Sequence, residues 1–512
     1  MEGVATREDN GVNHVTGDTE MEQSRETHYD HSRSWQPQHV REVAIHALET
    51  RLANDPDNVA LLFERACLLA ESGKFNAAKT AYIQILMLDH THLGALNNLG
   101  TLLYQTGYRT AALTTYHEAV VQHPEDPAGH VNLANLLYEN GDYEKAREHY
   151  ELALQLAPTH LQAHQGLSYV LAELGDEEGA LFHRQKGFEC QSVITQPYYG
   201  EKAPVSVLLL MSAIGGNTPT RWLLDDHVFQ VHTVIVEYVQ PTTKLPPHQL
   251  IFNAISDADL ASTALIDAKV WLESAFAPVI NPPSSLETTG RLAIAKRFRG
   301  IPGIIVPRVT RWPKTSFIDP TTREARLPQE WHFPILLRAP GYHTGRHFIK
   351  VDHERELSTA LDSLPGQDVL MMEYIDVRGA DGKYRKYRVM MIGGQLYPLH
   401  LAVSSDWKVH YFTSEMAEHV SNREEEARFL ARMQDVLGAK VMETLQYIQK
   451  ELGLDYAGID FTVNENGDLV LFEANATMVV VPPDADPIWD YRRPAVNRIL
   501  HAAQQMMMEK IR

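Results

Sequence analysis

Near the C-terminus of this 512-residue chain, two acidic residues and an amide stand at a spacing that could hold a metal ion. Residues 458–463 and 469–475 read as two strands rich in β-branched and aromatic side chains, joined by a polar stretch at 464–468. If Asn466 and Gly467 are the central pair of a type I′ turn, Asp460 lies directly opposite Glu473, and Asn475 projects from the same face. The same register pairs Phe461 with Phe472 and Val463 with Val470 on the other face, where they would build core. Opposed carboxylates on a strand pair repel unless a cation lies between them. Carboxylates and an amide oxygen offer only hard oxygen ligands, which is magnesium chemistry. The competing account is an exposed hairpin with a solvated acidic face.

Three further candidates precede the hairpin: His400, Lys408 and His410. Strand alternation would put Lys408 and His410 on one face with Asp406, where fixed cations could clamp a carboxylate or a phosphate. Upstream, an apolar run at 333–338 enters a loop with two glycines, Gly341 and Gly345, around His343. This loop is not a P-loop, because neither GxxxxGKS/T nor GxGxxG occurs in the chain.

The elements that must position these residues fall into two regions of different character. Gly73, Gly107, Gly141 and Gly175 recur every 34 residues, and Ala78, Ala112, Ala146 and Ala180 keep the same period, as do Leu69, Leu103, Leu137 and Leu171. Tyr82, Tyr116 and Tyr150 follow it too, whereas Arg184 takes the fourth aromatic place. Such a period predicts pairs of antiparallel helices, with Pro124 and Pro158 closing two units and a leading helix over 40–52. Asn97, Asn98 and Asn132 fall where an array of this kind could face a peptide. Beyond residue 191 short apolar runs at 205–211 and 231–238 alternate with polar stretches, an α/β pattern. The segment 196–204, with two prolines and a glycine, marks the boundary near residue 195.

Bulk composition limits the function. Hydrophobic residues at 44% and charged residues at 22% are those of a globular chain. A net charge of -20 disfavours nucleic acid or an anionic membrane as a general partner. Cys67 and Cys190 alone supply neither a disulfide framework nor a thiolate zinc site, and a cytoplasmic setting is expected. No apolar run is long enough for a membrane helix.

Each 34-residue unit resembles the tetratricopeptide repeat, and residues from about 291 to 475 resemble an ATP-grasp domain of the carboxylate-amine ligase type, as in ribosomal-protein glutamate ligases and glutathione synthetases. The implied fold class is multidomain: a tail at 1–38, an all-α array at 39–194, an α/β lobe at 195–287 and ATP-grasp nucleotide-binding lobes (α/β or α+β) at 288–512. The resemblance implies ATP and magnesium (or manganese) as cofactors, with Asp460, Glu473 and Asn475 as metal ligands. It implies adenine contacts at Glu373, Tyr374 and Ile375, and a phosphate-touching arginine at Arg388. Lys386, where the family usually has an acid, is counted with the nucleotide contacts, as are Gly341, His343 and Gly345. Arg291 and Arg338 take the places of two family lysines, and Lys408 joins Arg388 as a catalytic candidate.

The implied activity forms an acylphosphate from a small-molecule or peptide carboxylate for attack by an amine. An ATP-grasp kinase is one alternative, and a tetratricopeptide adaptor with a non-catalytic nucleotide-binding domain is another. The array is expected to take a peptide or protein partner, or else to pack structurally or pair two copies as a homodimer.

Overall fold

A 34-residue period whose glycine ends one helix and whose polar residue starts the next folds as a stack of helix pairs. The computed structural model describes residues 38–240, 242–273, 275–318, 325–342, 345–411, 414–483 and 486–512. The tail expected at 1–38 lies outside them except for its last residue. Two compact units form, one taking in Ile45–Gly187 and the other Phe188–Arg512.

After α1 (Gln38–Leu52), whose residues up to Ala44 count with the second unit, the first unit has four pairs: α2 (Val59–Glu71) and α3 (Phe75–Leu88), α4 (Leu93–Gln105) and α5 (Arg109–Gln122), α6 (Pro127–Glu139) and α7 (Tyr143–Leu156), α8 (Leu161–Leu174) and α9 (Glu177–Phe188). Gly73, Gly107, Gly141 and Gly175 have φ between 69° and 86°, a left-handed region that costs other residues more. This lets the next backbone N–H reach back to Leu69, Leu103, Leu137 and Leu171, so the repeated leucines also supply the carbonyls of a Schellman closure. Asn58, His92, Asp126 and His160, again 34 apart, accept the N-terminal N–H groups of Leu61, Ala95, Gly129 and Ala163. The four period alanines are fully buried. A Cβ on Gly166 would lie 2.2 Å from the buried Tyr150 ring, so Gly166→Ala is expected to destabilise the array by about 1–3 kcal/mol through overpacking. Urea unfolding checks this, and an unchanged midpoint would contradict it.

Asn97, Asn98 and Asn132 do not face a groove. They are buried, and their amides join neighbouring helices: Asn132 donates to Asn97 Oδ1 at 3.1 Å, Asn97 to Asp126 at 3.3 Å and Asn98 to the Tyr82 hydroxyl at 3.4 Å. Polar side chains between packed helices must find partners there, and these find them in Asn97, Asp126 and Tyr82.

Two imidazole pairs also keep the period. The Nδ1 atoms of His130 and His149 are 3.0 Å apart and those of His164 and His183 are 2.8 Å apart. His130 and His164 donate from Nε2 to the carbonyls of Pro124 and Pro158, at 3.0 Å in both cases. Burial, then the neighbouring His130 and His117, pushes His149 down to about 4; burial and His164 push His183 down as well. A histidine with a depressed folded value stabilises fully above its unfolded value of about 6.5 and loses that contribution as pH falls through the folded one. Helix melting followed by circular dichroism should therefore weaken between pH 6.5 and about 4, and less so in a His149→Gln, His183→Gln variant. Identical pH profiles would contradict the assignment.

The second unit holds three sheets. In the first, β1 (Val193–Thr195), β2 (Val205–Met211), β3 (Phe229–Ile235), β4 (Leu250–Asn253) and β5 (Val279–Ile280) lie in the order β1-β3-β2-β4-β5. All pairs are parallel except β1 with β3. Helix α10 (Ser262–Leu272) joins β4 to β5, and α11 (Pro283–Leu286) and α12 (Arg291–Phe298) follow β5. A four-stranded antiparallel sheet, ordered β7-β10-β8-β9, contains β7 (Val309–Pro313), β8 (Ile335–Arg338), β9 (Phe348–Val351) and β10 (Asp368–Glu373), with α13 (Glu354–Ser363) between the last two in sequence.

The third sheet, ordered β12-β11-β13-β14-β6, combines β6 (Ile304–Ile305) with β11 (Tyr384–Ile392), β12 (Gln395–Ser404), β13 (Tyr456–Val463) and β14 (Leu469–Asn475). Helices α14 (Val420–Ala431) and α15 (Met433–Leu452) supply Phe429, Leu437 and Leu445 to the core shared with Tyr387, Phe461 and Leu471, and α16 (Arg493–Ile511) closes the chain. Asn281 pins the first sheet to the third, donating from Nδ2 to the Tyr456 carbonyl at 2.6 Å and accepting the Asp455 and Tyr456 N–H groups.

Candidate functional site

Asp460 pairs with Glu473 across β13 and β14, but by a different route from the two-residue turn. The loop has three residues, 465–467, with Gly467 at φ 74° and the Asn464 N–H donating to the Asp468 carbonyl. This is the type I turn plus left-handed glycine of a longer hairpin. The extra loop residue shifts the pairs to Phe461 with Leu471 and Val463 with Leu469, correcting the expected Phe472 and Val470 partners. A bulge then absorbs Phe472 and restores the register at Asp460.

A second register break sits between Arg388 and Val389 on the β11–β12 pair. Between the two irregularities runs one transverse row, His400, Arg388, Asp460, Glu473, each residue the cross-strand partner of the next. Bulges of this kind re-aim side chains beside functional sites.

The row is charged, and its two carboxylates are paired with cations of the chain. Arg388 grips Asp460 with both forks, Nε to Oδ1 at 2.6 Å and Nη2 to Oδ2 at 2.8 Å, and Lys386 Nζ lies 3.2 Å from Oδ2. Burial would raise the Asp460 carboxyl, but Arg388 and Lys386 outweigh it and hold the group well below the usual carboxylate range. Burial, with Arg388 next, pushes His400 far down, and burial with Lys386 and Arg388 pushes His410 down to about 4, so both rings are neutral at pH 7. The His400 Nδ1 is buried with no partner.

Glu473 is placed differently. It lines a cleft whose volume of about 1000 Å³ includes the open mouth. Arg291 Nη2 donates to Glu473 Oε1 at 2.9 Å, and Asn475 Nδ2 donates to the same oxygen at 3.0 Å. Arg338 and Gly341 also line this cleft, together with Asp257, Asp259 and Thr477. Arg338 lies buried at the end of β8, and burial, followed by the like charge of Arg291, pulls its guanidinium down to about 10. Lys408 is lowered by burial and then by Arg338. Arg291 and Arg338 share this lining with the carboxylates of Glu473, Asp257 and Asp259, whose charges act back on Arg338.

The remaining candidates are not among the described residues that line this cleft. Glu373 ends β10 and accepts the Arg308 N–H at 3.0 Å; Tyr374 and Ile375 begin the segment leading from the second sheet to the third. The Tyr374 ring carries Lys350 Nζ at 4.4 Å and lies 6.4 Å from Trp407. Lys408 is not on a strand: β12 stops at Ser404, and Asp406 accepts the Lys408 N–H at 2.8 Å in a turn, so strand alternation does not govern residues 405–410. Lys408 approaches Gly345, where a Cβ would meet its Cε at 2.8 Å, and Gly341 and Gly345 have φ of 80° and 77°. His343 lies outside the described residues.

A divalent ion held between Asp460 and Glu473 does not fit this arrangement. Both Asp460 oxygens are taken by chain cations, and the oxygen of Asn475 accepts the Thr477 N–H and hydroxyl at 3.0 and 2.7 Å, leaving its NH₂ toward Glu473. The repulsion expected between the two carboxylates is relieved by Arg388, Lys386 and Arg291.

Sequence reasoning missed Asp257 and Asp259. Asp259 accepts the Arg291 N–H at 2.8 Å and so fixes the start of α12. Both follow β4, at the carboxyl end of a parallel strand, where ligands of open α/β sheets gather; that position was the available signal.

The tetratricopeptide-repeat family model matches residues 97–160 and 133–181. The first unit contains tetratricopeptide repeats. No curated protein matches the chain. Among solved structures it is similar to MamA, at 23% identity over 29% of this chain and 87% of that one with a TM-score of 0.28. A MamA fragment from Desulfovibrio magneticus RS-1 gives 23% over 29% and 84%, with a TM-score of 0.27. YrrB, described as a TPR protein with an unusual peptide-binding site, gives 18% over 30% and 79%, also with a TM-score of 0.27. Among the described residues no helix is long and apolar enough to cross a membrane.

Proposed function

We propose that the second unit is an ATP-grasp ligase that activates a carboxylate as an acylphosphate and passes it to an amine. The observation that carries this reading is the cleft in which Arg291 and Arg338 converge beside Glu473 and Asn475, with Lys408 adding to the charge on Arg338. Clustered cations that repel one another are stabilised by a polyanion, and a triphosphate matches their number and reach. The segment from Glu373 to Ile375, leading between two sheets, would receive the adenine.

In this reading a substrate carboxylate oxygen attacks the γ-phosphorus and ADP leaves. The amine nitrogen then attacks the acyl carbon, phosphate departs and the nitrogen loses a proton. Arg291 and Arg338 would hold phosphate oxygens in line and meet the charge that develops on them. Magnesium carried on the nucleotide would meet Glu473 rather than Asp460. The repeat array is assigned to a peptide or protein partner.

Incubating the full-length chain with ATP, amino acids and peptides, and measuring ADP and inorganic phosphate together, tests the reaction type. Equal amounts of both, dependent on carboxylate and amine, are expected. ADP without phosphate would turn the assignment to a kinase.

A further inference from the structure

Lys386 stands two residues before Arg388 on β11 and therefore shares its face. Its ammonium lies 3.2 Å from Asp460 Oδ2, and its side chain is only 14% exposed. Arg388 already takes both oxygens of that carboxylate, so two chain cations meet one anion that is itself 4% exposed. Among the described residues, the buried His400 and His410, which add no charge at neutral pH, also face this cluster, with Glu473 across β14; Arg492 acts on His400 and Tyr456 on Arg388. A divalent ion approaching Asp460 would have to displace the Lys386 ammonium from Oδ2 and sit against Arg388. Glu473, by contrast, opens into the cleft.

We propose that Lys386 is a resident cation of the Asp460 carboxylate: its ammonium supplies there the charge that a metal ion would supply, leaving Glu473 as the metal-facing carboxylate of the β13–β14 pair. Asp460 then acts as a positioning residue, holding Arg388 extended across the sheet. One carboxylate is enough for magnesium that completes its shell with phosphate oxygens and water. This inference rests on the nucleotide reading of the cleft, and its test separates the two.

The full-length chain is titrated with Mn²⁺, free ion being followed by electron paramagnetic resonance, first without nucleotide and then with ADP. Without nucleotide, the wild type should bind only in roughly the millimolar range and Asp460→Asn should not weaken it further, whereas Lys386→Glu should tighten binding about tenfold. Lys386→Gln, which removes the ammonium without adding an acid, should tighten it about threefold and serves if Lys386→Glu fails to fold. Micromolar Mn²⁺ binding by the wild type that Asp460→Asn removes would overturn the proposal. So would folded Lys386 variants with unchanged affinity. With ADP present, Mn²⁺ uptake should rise in the wild type and not in Glu473→Gln. No rise in the wild type would overturn the nucleotide reading itself, while the nucleotide-free contrast would still decide the role of Lys386.

Discussion

Glu473→Gln is expected to abolish ADP formation, lowering it by at least about a hundredfold, while the chain keeps its fold. The substitution conserves shape and removes the negative charge that receives Arg291 at 2.9 Å and the Asn475 amide at 3.0 Å. Its stability cost should be small, because the Glu473 side chain is 26% exposed and an amide oxygen can still accept from both donors. Loss of turnover with an unchanged melting curve therefore separates chemistry from folding. Equal ADP production by wild type and variant would remove Glu473 from the mechanism.

Arg388→Met carries the largest expected stability effect in the second unit. It strips the bidentate partner from Asp460, a carboxylate 4% exposed, and leaves Lys386 as its one close cation among the described residues. Breaking a buried pair from one side costs about 3–5 kcal/mol, and the residual Lys386 contact places this case at the lower end. The double variant Arg388→Met, Asp460→Leu should recover most of that loss, since replacing both charges by apolar groups is often neutral. Nucleotide binding should not recover with it. Urea unfolding read alongside ADP binding checks both halves, and a stable single variant would show that Lys386 alone satisfies Asp460.

Local chemistry was legible in the sequence, and long-range chemistry much less so. The repeats could be read because each glycine, capping residue and small packing residue acts within its own 34-residue unit. The facing of Asp460 and Glu473 was legible because a hairpin is local, yet the two-residue turn was wrong by one residue. The bulge at Phe472 cancelled that error. His400 and Arg388 could not be placed beside Asp460 in advance, because β11 and β13 are separated by two helices and their register depends on packing. Lys408 was misplaced because Ser405 and Asp406 turn the chain where alternation had been extended. The asparagines of the array looked available because sequence shows residue type and not burial; the helices on either side consume their hydrogen bonds.

The three cations at which the sequence departs from the pattern it resembles also gain a physical sense. Arginine at positions 291 and 338 presents a fork that can hold a carboxylate or a phosphate, and Arg291 holds Glu473. Lysine at position 386 puts a compact ammonium beside a carboxylate that Arg388 has already engaged. The result is a hairpin whose two facing carboxylates are both held by cations of the chain.

A crystal structure of the full-length chain with a non-hydrolysable ATP analogue tests the central claim most directly. The account predicts the phosphates between Arg291, Arg338 and Glu473, the adenine against residues 373–375, and Asp460 still paired with Arg388 and Lys386. Nucleotide bound elsewhere, or no nucleotide at concentrations that saturate ATP-dependent enzymes, would contradict it.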